Sequence, residues 1–140
     1  MSLYILDTDH ITLFQQAHPQ VVQRIAAMKP ETLAVTIITA EEQLRGWFMA
    51  IRQAPSGSKL VWSYAGLRSA LTYFGHIQLL DFNQEAYTRY EVLRQQKIRI
   101  GTQDLRIAAI VLVVNGILVT RNQRDFSQVP GLTFQDWTTS

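Results

Sequence analysis

The chain contains no cysteine. That absence excludes disulfide staples, thiolate nucleophiles and zinc–sulfur sites, and it suits a reducing cytosol. Long apolar runs are missing as well. The longest, Ile107 to Val114, falls far short of the ~20 residues a membrane-spanning helix needs, and Asn115-Gly116 breaks it. The opening MSLYILDTDHI has neither a basic start nor a long apolar stretch, so no signal peptide is expected. A cytoplasmic location without membrane contact follows as the expectation. Histidine is sparse, and His10, His18 and His76 lack the i,i+4 helix spacing of metal ligands, so they read as structural or surface residues. No G-x-S-x-G elbow, P-loop or dinucleotide fingerprint is present.

What remains is compatible with one globular domain spanning residues 1–140, with 47% hydrophobic and 17% charged residues. The net charge of +2 is unevenly spread. Arg89, Arg94, Lys97, Arg99 and Arg106 crowd one stretch, and Arg121 and Arg124 follow. Such a stretch attracts phosphate backbones; it is equally compatible with a solvated helix face paired to Glu85 and Glu91.

Short β-forming runs alternate with helical patterns. Leu3–Leu6, Thr32–Ile38, His76–Leu80, Ile117–Thr120 and, more weakly, Leu132–Phe134 read as strands. Helices are expected after the capping residues Asp7-Thr8-Asp9, beginning with Ile11, Leu13 and Phe14, then over Pro19–Met28, from Thr39 past Ile51, and over Lys59–Phe74, Gln84–Gln96 and Gln103–Val114. Pro55-Ser-Gly-Ser58 is the clearest turn. The alternation predicts an α/β three-layer sandwich, with a central, mainly parallel sheet of four to five strands flanked by helices. Strand order is not legible.

Acids recur beside these apolar runs. Asp7 follows the first strand, Glu42 lies just after the second, Asp104 opens the nearly all-apolar helix, and Asn122 and Asp125 follow the fourth strand. Each also has a purely structural reading. Asp7 can cap a helix, Glu42 completes a capping box with Thr39, Asp104 complements a helix dipole, and Asn122 and Asp125 suit a turn. Together they point elsewhere. Carboxylates collected at the C-terminal edge of a parallel sheet repel one another unless a cation or shared protons neutralise them. An oxygen-rich site of that kind suits Mg²⁺ and phosphodiester hydrolysis.

The same stretches resemble PIN-domain ribonucleases, specifically the VapC-type toxins of bacterial toxin–antitoxin pairs, over nearly the whole chain. LDTDHITLF resembles the opening motif, with Asp7 at its first acidic position. ITAEEQLRGW resembles the second, in which the acid lies four residues before a glycine; Glu42 and Gly46 have that spacing, so Glu42 is preferred to Glu41. IGTQDLRIAAIVLVVNGILVTRNQRDF resembles the third and fourth, placing Asp104 at the third acidic position. Some members carry Asp where this chain has Asn122; others have Asn there and an acid three residues later, where Asp125 stands. The fourth position is therefore open between them. The resemblance implies a PIN-like fold, Mg²⁺ or Mn²⁺ held by Asp7, Asp104 and Glu42, catalytic assistance from Asn122 and Asp125, RNA as substrate, a cognate antitoxin, and a homodimer.

Two other readings follow from the residues. Asp7-Thr8-Asp9 has the D-x-D spacing of haloacid-dehalogenase-type phosphatases, with Asp7 as nucleophile and Asp9 as acid/base. Ile11 stands where that motif has Thr or Val, and the later Lys and Asp-Asp signatures are missing. Alternatively, Trp47, Phe48, Trp62, Tyr64 and Tyr73 form part of a catalytically silent binding module, some packing between two helices and some lining a groove for a partner helix.

Overall fold

The computed structural model describes residues 2–54 and 56–139, so Pro55 of the expected turn lies outside the described residues. In chain order the elements are β1 (Tyr4–Leu6), α1 (Thr8–Gln15), α2 (Pro19–Ala26), β2 (Leu33–Thr36), α3 (Ile37–Gln53) and α4 (Gly57–Phe74). They continue as β3 (Gln78–Leu80), α5 (Gln84–Gln95), α6 (Thr102–Val113), β4 (Ile117–Val119), α7 (Gln123–Phe126) and β5 (Thr133–Gln135). The five strands form one sheet in the order β3-β2-β1-β4-β5. Every pairing is parallel. The order runs outward in both directions from β1, so β1 and β4 flank the point where the winding changes direction. A crevice opens at such a point, outside the carboxyl ends of the strands.

Alternating side chains along the strands feed two cores, one on each face. Ile5, Ala34 and Leu118 join Tyr90, Leu93 and the α6 residues Ile107–Val111. Leu6, Leu33, Val35 and Val119 join Ile11, Ala70, Phe74 and Trp137 on the other side. Helix α6 is buried almost all round, as its apolar sequence predicts: Leu105 and every residue from Ile107 to Val111 are buried. The result is a three-layer sandwich. No helix among the described residues is long and apolar enough to cross a membrane.

One expected boundary moves. The sequence reads Thr32–Ile38 as strand and starts the next helix at Thr39, but β2 ends at Thr36 and α3 begins at Ile37. Thr36 is the N-cap: its hydroxyl accepts from the Thr39 amide at 3.1 Å. A single hydroxyl cap thus outweighs the β-preference of Ile37 and Ile38. The shift puts Glu42 in the second turn of α3, beyond the reach of the capping box expected with Thr39.

Helix α6 stops at a left-handed Asn115 (φ 54°), where asparagine is tolerated better than most side chains. Gly116 then passes close to β1. A Cβ there would lie 2.5 Å from the Ile5 Cδ1 and 3.1 Å from the Leu3 carbonyl oxygen. Gly116→Ala must therefore push β4 away from β1. We expect it to destabilise the protein by about 1–3 kcal/mol, read as a lower urea midpoint with an unchanged m-value.

Candidate functional site

The acids gather at the β1–β4 crevice. Asp7 ends β1 and caps α1; only 6% of it is exposed. One carboxylate oxygen accepts from the Thr8 amide at 2.8 Å, and the other accepts from the Thr120 hydroxyl, at the end of β4, at 2.7 Å. Glu42 reaches across from α3, accepting from the Thr8 hydroxyl at 2.9 Å. The same hydroxyl lies 3.3 Å from that of Thr39. The Asn122 amide joins the two remaining acids, donating to Asp104 at 3.3 Å and to Asp125 at 3.1 Å. Hydroxyls and one carboxamide thus tie every sequence-predicted acid into a single region.

The electrostatics report the same gathering. Burial pushes the Asp7 carboxyl up to about 7, helped by the charge of Asp9 and, to a lesser extent, of Asp104, against the hydrogen bonds from Thr120 and Thr8. Asp104 is also raised above the ordinary carboxylate range, first by burial and then by Glu42, Asp125 and Asp9. Asp7 therefore feels the charge of Asp9 and Asp104, and Asp104 that of Glu42, Asp125 and Asp9. Among the described residues, no three acidic or imidazole groups close into a ligating trio. A hard divalent cation does not require one: Mg²⁺ keeps several waters and takes one or two carboxylates. The donor set is all oxygen, and its mutual repulsion is the kind a cation relieves, so these residues fit such an ion.

Some participants were not singled out from the sequence. Thr8 and Thr120 supply the hydroxyls that hold the acids, and their only sequence signal is adjacency to strand ends. Asp9 was read only as a helix cap or a phosphatase acid/base. Its carboxylate instead accepts from the Arg121 amide at 3.1 Å and pairs with the His10 Nδ1 at 2.6 Å. His10 is a wholly buried structural histidine, as its isolated position predicts. In the basic stretch, Arg94 pairs with Glu91 at i,i+3 rather than i,i+4, while Arg106 donates to Gln103 and lies over the Tyr90 ring. Arg99, Arg121 and Arg124 are exposed. Trp47 meets Trp62 edge-on at 5.1 Å, the expected packing of α3 on α4, whereas Phe48, Trp62 and Tyr64 are more than half exposed.

An all-parallel sheet in this order, with acids collected at its carboxyl rim, defines a PIN-like domain. No family model matches the chain. The chain is 27% identical over 142 residues to ribonuclease VapC1 of Haemophilus influenzae strain R2866, covering 97% of this chain and 98% of that protein. It is 26% identical over 141 residues to ribonuclease VapC2 of Rickettsia felis, covering 96% and 98%. The solved structure of VapBC-1 from nontypeable H. influenzae matches with a TM-score of 0.75 at 26% identity, over 97% of this chain and 98% of that one. DNA-bound VapBC from Salmonella typhimurium matches with a TM-score of 0.79 at 20% identity, over 98% and 99%, a likeness of fold. The chain thus resembles VapC ribonucleases along nearly its whole length, and it shares their fold.

The raised Asp7 carboxyl has a consequence for stability. Its native value of about 7 lies above the ordinary aspartate value of 3.8, so protonated Asp7 favours the fold. That contribution is complete below about pH 4 and is lost as the pH rises through about 7. In chelator at pH 8, Asp7→Asn should therefore be more stable than the wild type, by on the order of 2–4 kcal/mol. The difference should vanish towards pH 4 in paired denaturation curves. A variant that is less stable at pH 8 would contradict this reading of the site.

Proposed function

We propose that this chain is a divalent-metal-dependent endoribonuclease that hydrolyses RNA phosphodiester bonds and serves as the toxin of a toxin–antitoxin pair. The observation that carries the proposal is the gathering of Asp7, Glu42, Asp104 and Asp125 at one rim, each held by a hydrogen bond from Thr120, Thr8 or Asn122. The ribonuclease relatives matched along nearly their whole length support it.

Asp7, Asp104 and Glu42 would hold Mg²⁺, or Mn²⁺ in its place. When bound, the ion supplies Lewis-acid polarisation of the scissile phosphate and offsets the charge of the cluster. The chain's own residues do the rest. Thr8 holds the Glu42 carboxylate towards the crevice, where it can orient the attacking water and accept its proton. Thr120 fixes the rotamer of Asp7. Asn122 holds Asp104 and Asp125 together, and either Asn122 or Asp125 completes the outer ligation. Exposed Arg121 and Arg124 flank Asn122 and would engage the RNA backbone.

The two solved structures matched above are of VapBC, one of them DNA-bound. We assign to this chain a cognate antitoxin, with an apolar segment seated on the exposed face of α3 and α4, where Phe48, Met49, Trp62 and Tyr64 stand out. A homodimer of one-domain chains (residues 1–140) in the cytoplasm completes the reading. Sedimentation of the chain, alone and with the product of the adjacent gene, tests both associations.

The decisive experiment is RNA cleavage with Mg²⁺ present. Asp7→Asn and Asp104→Asn should each lower the rate by at least about 100-fold while circular dichroism stays unchanged. Full activity of both variants would end the nuclease assignment. Antitoxin binding without cleavage in any divalent metal would favour a silent binding module instead.

A further inference from the structure

A chain of hydrogen bonds links the C-terminal segment to the acidic rim. Trp137, wholly buried beyond β5, donates its backbone N–H to the His10 Nε2 at 3.1 Å. An acceptor at Nε2 fixes the tautomer, so Nδ1 carries the proton and donates to the Asp9 Oδ1 at 2.6 Å. The Asp9 Oδ2 in turn accepts from the Arg121 amide at 3.1 Å. The next residue is Asn122, whose side chain ties Asp104 to Asp125.

The surroundings leave the imidazole little freedom. His10 is fully buried, and Asp136, its other polar neighbour at 3.6 Å, is engaged by the Thr138 amide and hydroxyl. The Trp137 ring is packed against Tyr4 at 5.6 Å and covered by the Arg24 guanidinium at 4.9 Å. The Thr120 hydroxyl has a single proton, aimed at Asp7 at 2.7 Å, and stands 3.4 Å from the Asp9 Oδ2. An unrestrained Asp9 would compete with Asp7 for that proton. Holding Asp9 on His10 keeps Thr120 on Asp7.

We infer that His10, its tautomer set by the Trp137 backbone N–H, is a positioning residue that fixes Asp9 and, through it, the Thr120–Asn122 turn carrying one wall of the acidic cluster. The segment after β5 thus decides which ring nitrogen carries the proton, a role that an amide donor in the Nδ1 position does not need. The inference deepens the nuclease reading and rests on it where it concerns the cation, but the positioning itself can be read without metal.

Two near-isosteric substitutions separate the two ring nitrogens. His10→Asn keeps a donor near the Nδ1 position and loses the acceptor for Trp137. His10→Gln keeps the acceptor and loses the donor to Asp9. Calorimetric titration with Mn²⁺ and with Mg²⁺ should show His10→Gln weakened by about 10–100-fold, as for removal of a group that orients metal ligands, and His10→Asn close to the wild type. In chelator, amide exchange at Arg121 should accelerate in His10→Gln alone. Wild-type affinity and exchange in His10→Gln, or equal losses in both variants, would overturn the inference and leave His10 a space-filler. If His10→Gln does not fold, Asp9→Glu decides: it keeps the charge but moves the carboxylate by a methylene, and wild-type affinity there overturns the inference. A wild-type protein that binds neither cation would instead overturn the metal-dependent reading, while Arg121 exchange would still report on the role of His10.

Discussion

Like charges held together at the end of a sheet are the constraint around which this molecule is arranged. Each carboxylate at the β1–β4 crevice raises the cost of ionising its neighbours, and burial of Asp7 adds to that cost. The protein meets this with short neutral donors rather than with cations. Thr8 serves Glu42, Thr120 serves Asp7, and Asn122 serves both Asp104 and Asp125. Neutral donors orient acids without cancelling their charge. An Arg or Lys in the same place would pair with them and remove the field that makes the crevice attractive to a divalent ion.

The fold supplies the convergence. Parallel strands put their carboxyl ends on one edge, and the order β3-β2-β1-β4-β5 brings the ends of β1 and β4 side by side. Asp7 and Thr120 are 113 residues apart in sequence yet share a hydrogen bond. Helix α6 contributes Asp104 differently, since no strand immediately precedes it. Its buried residues from Ile107 to Val111 fasten the helix to the sheet, and its first turn is thereby fixed over the crevice. A carboxylate on a rigid, fully packed helix loses little further entropy on binding a ligand.

Legibility in the sequence followed locality. Asp7, Glu42, Asp104 and the Asn122/Asp125 pair could be picked out because each stands next to an apolar run whose period marks it as strand or core helix. The start of α3 could not. Ile37 and Ile38 continue a β-branched run, and only the Thr36 cap, competing with the Thr39 capping box, puts them in a helix. Strand order was also hidden, because it depends on packing between elements far apart in sequence. Thr8, Thr120 and Asp9 were missed for a related reason. A threonine at a strand end is commonplace, and its role exists only once the partner strand lies beside it. The likeness to known toxins named the acids but was silent on the hydroxyls that hold them.

The structural reading of Glu42 shows how a boundary changes a functional argument. With the helix starting at Thr39, the Glu42 carboxylate would turn back towards the N-terminal amides and its presence would need no further reason. With the start at Ile37, those amides are out of reach, and Thr39 is itself served by Thr36. The carboxylate is then free to meet Thr8 and to act on Asp104. An acid that does not cap its own helix, and that raises a neighbour's pKa across the crevice, has only the hydrogen bond from Thr8 to set against that repulsion. Under the proposed function, its position answers to the cation that the crevice would hold.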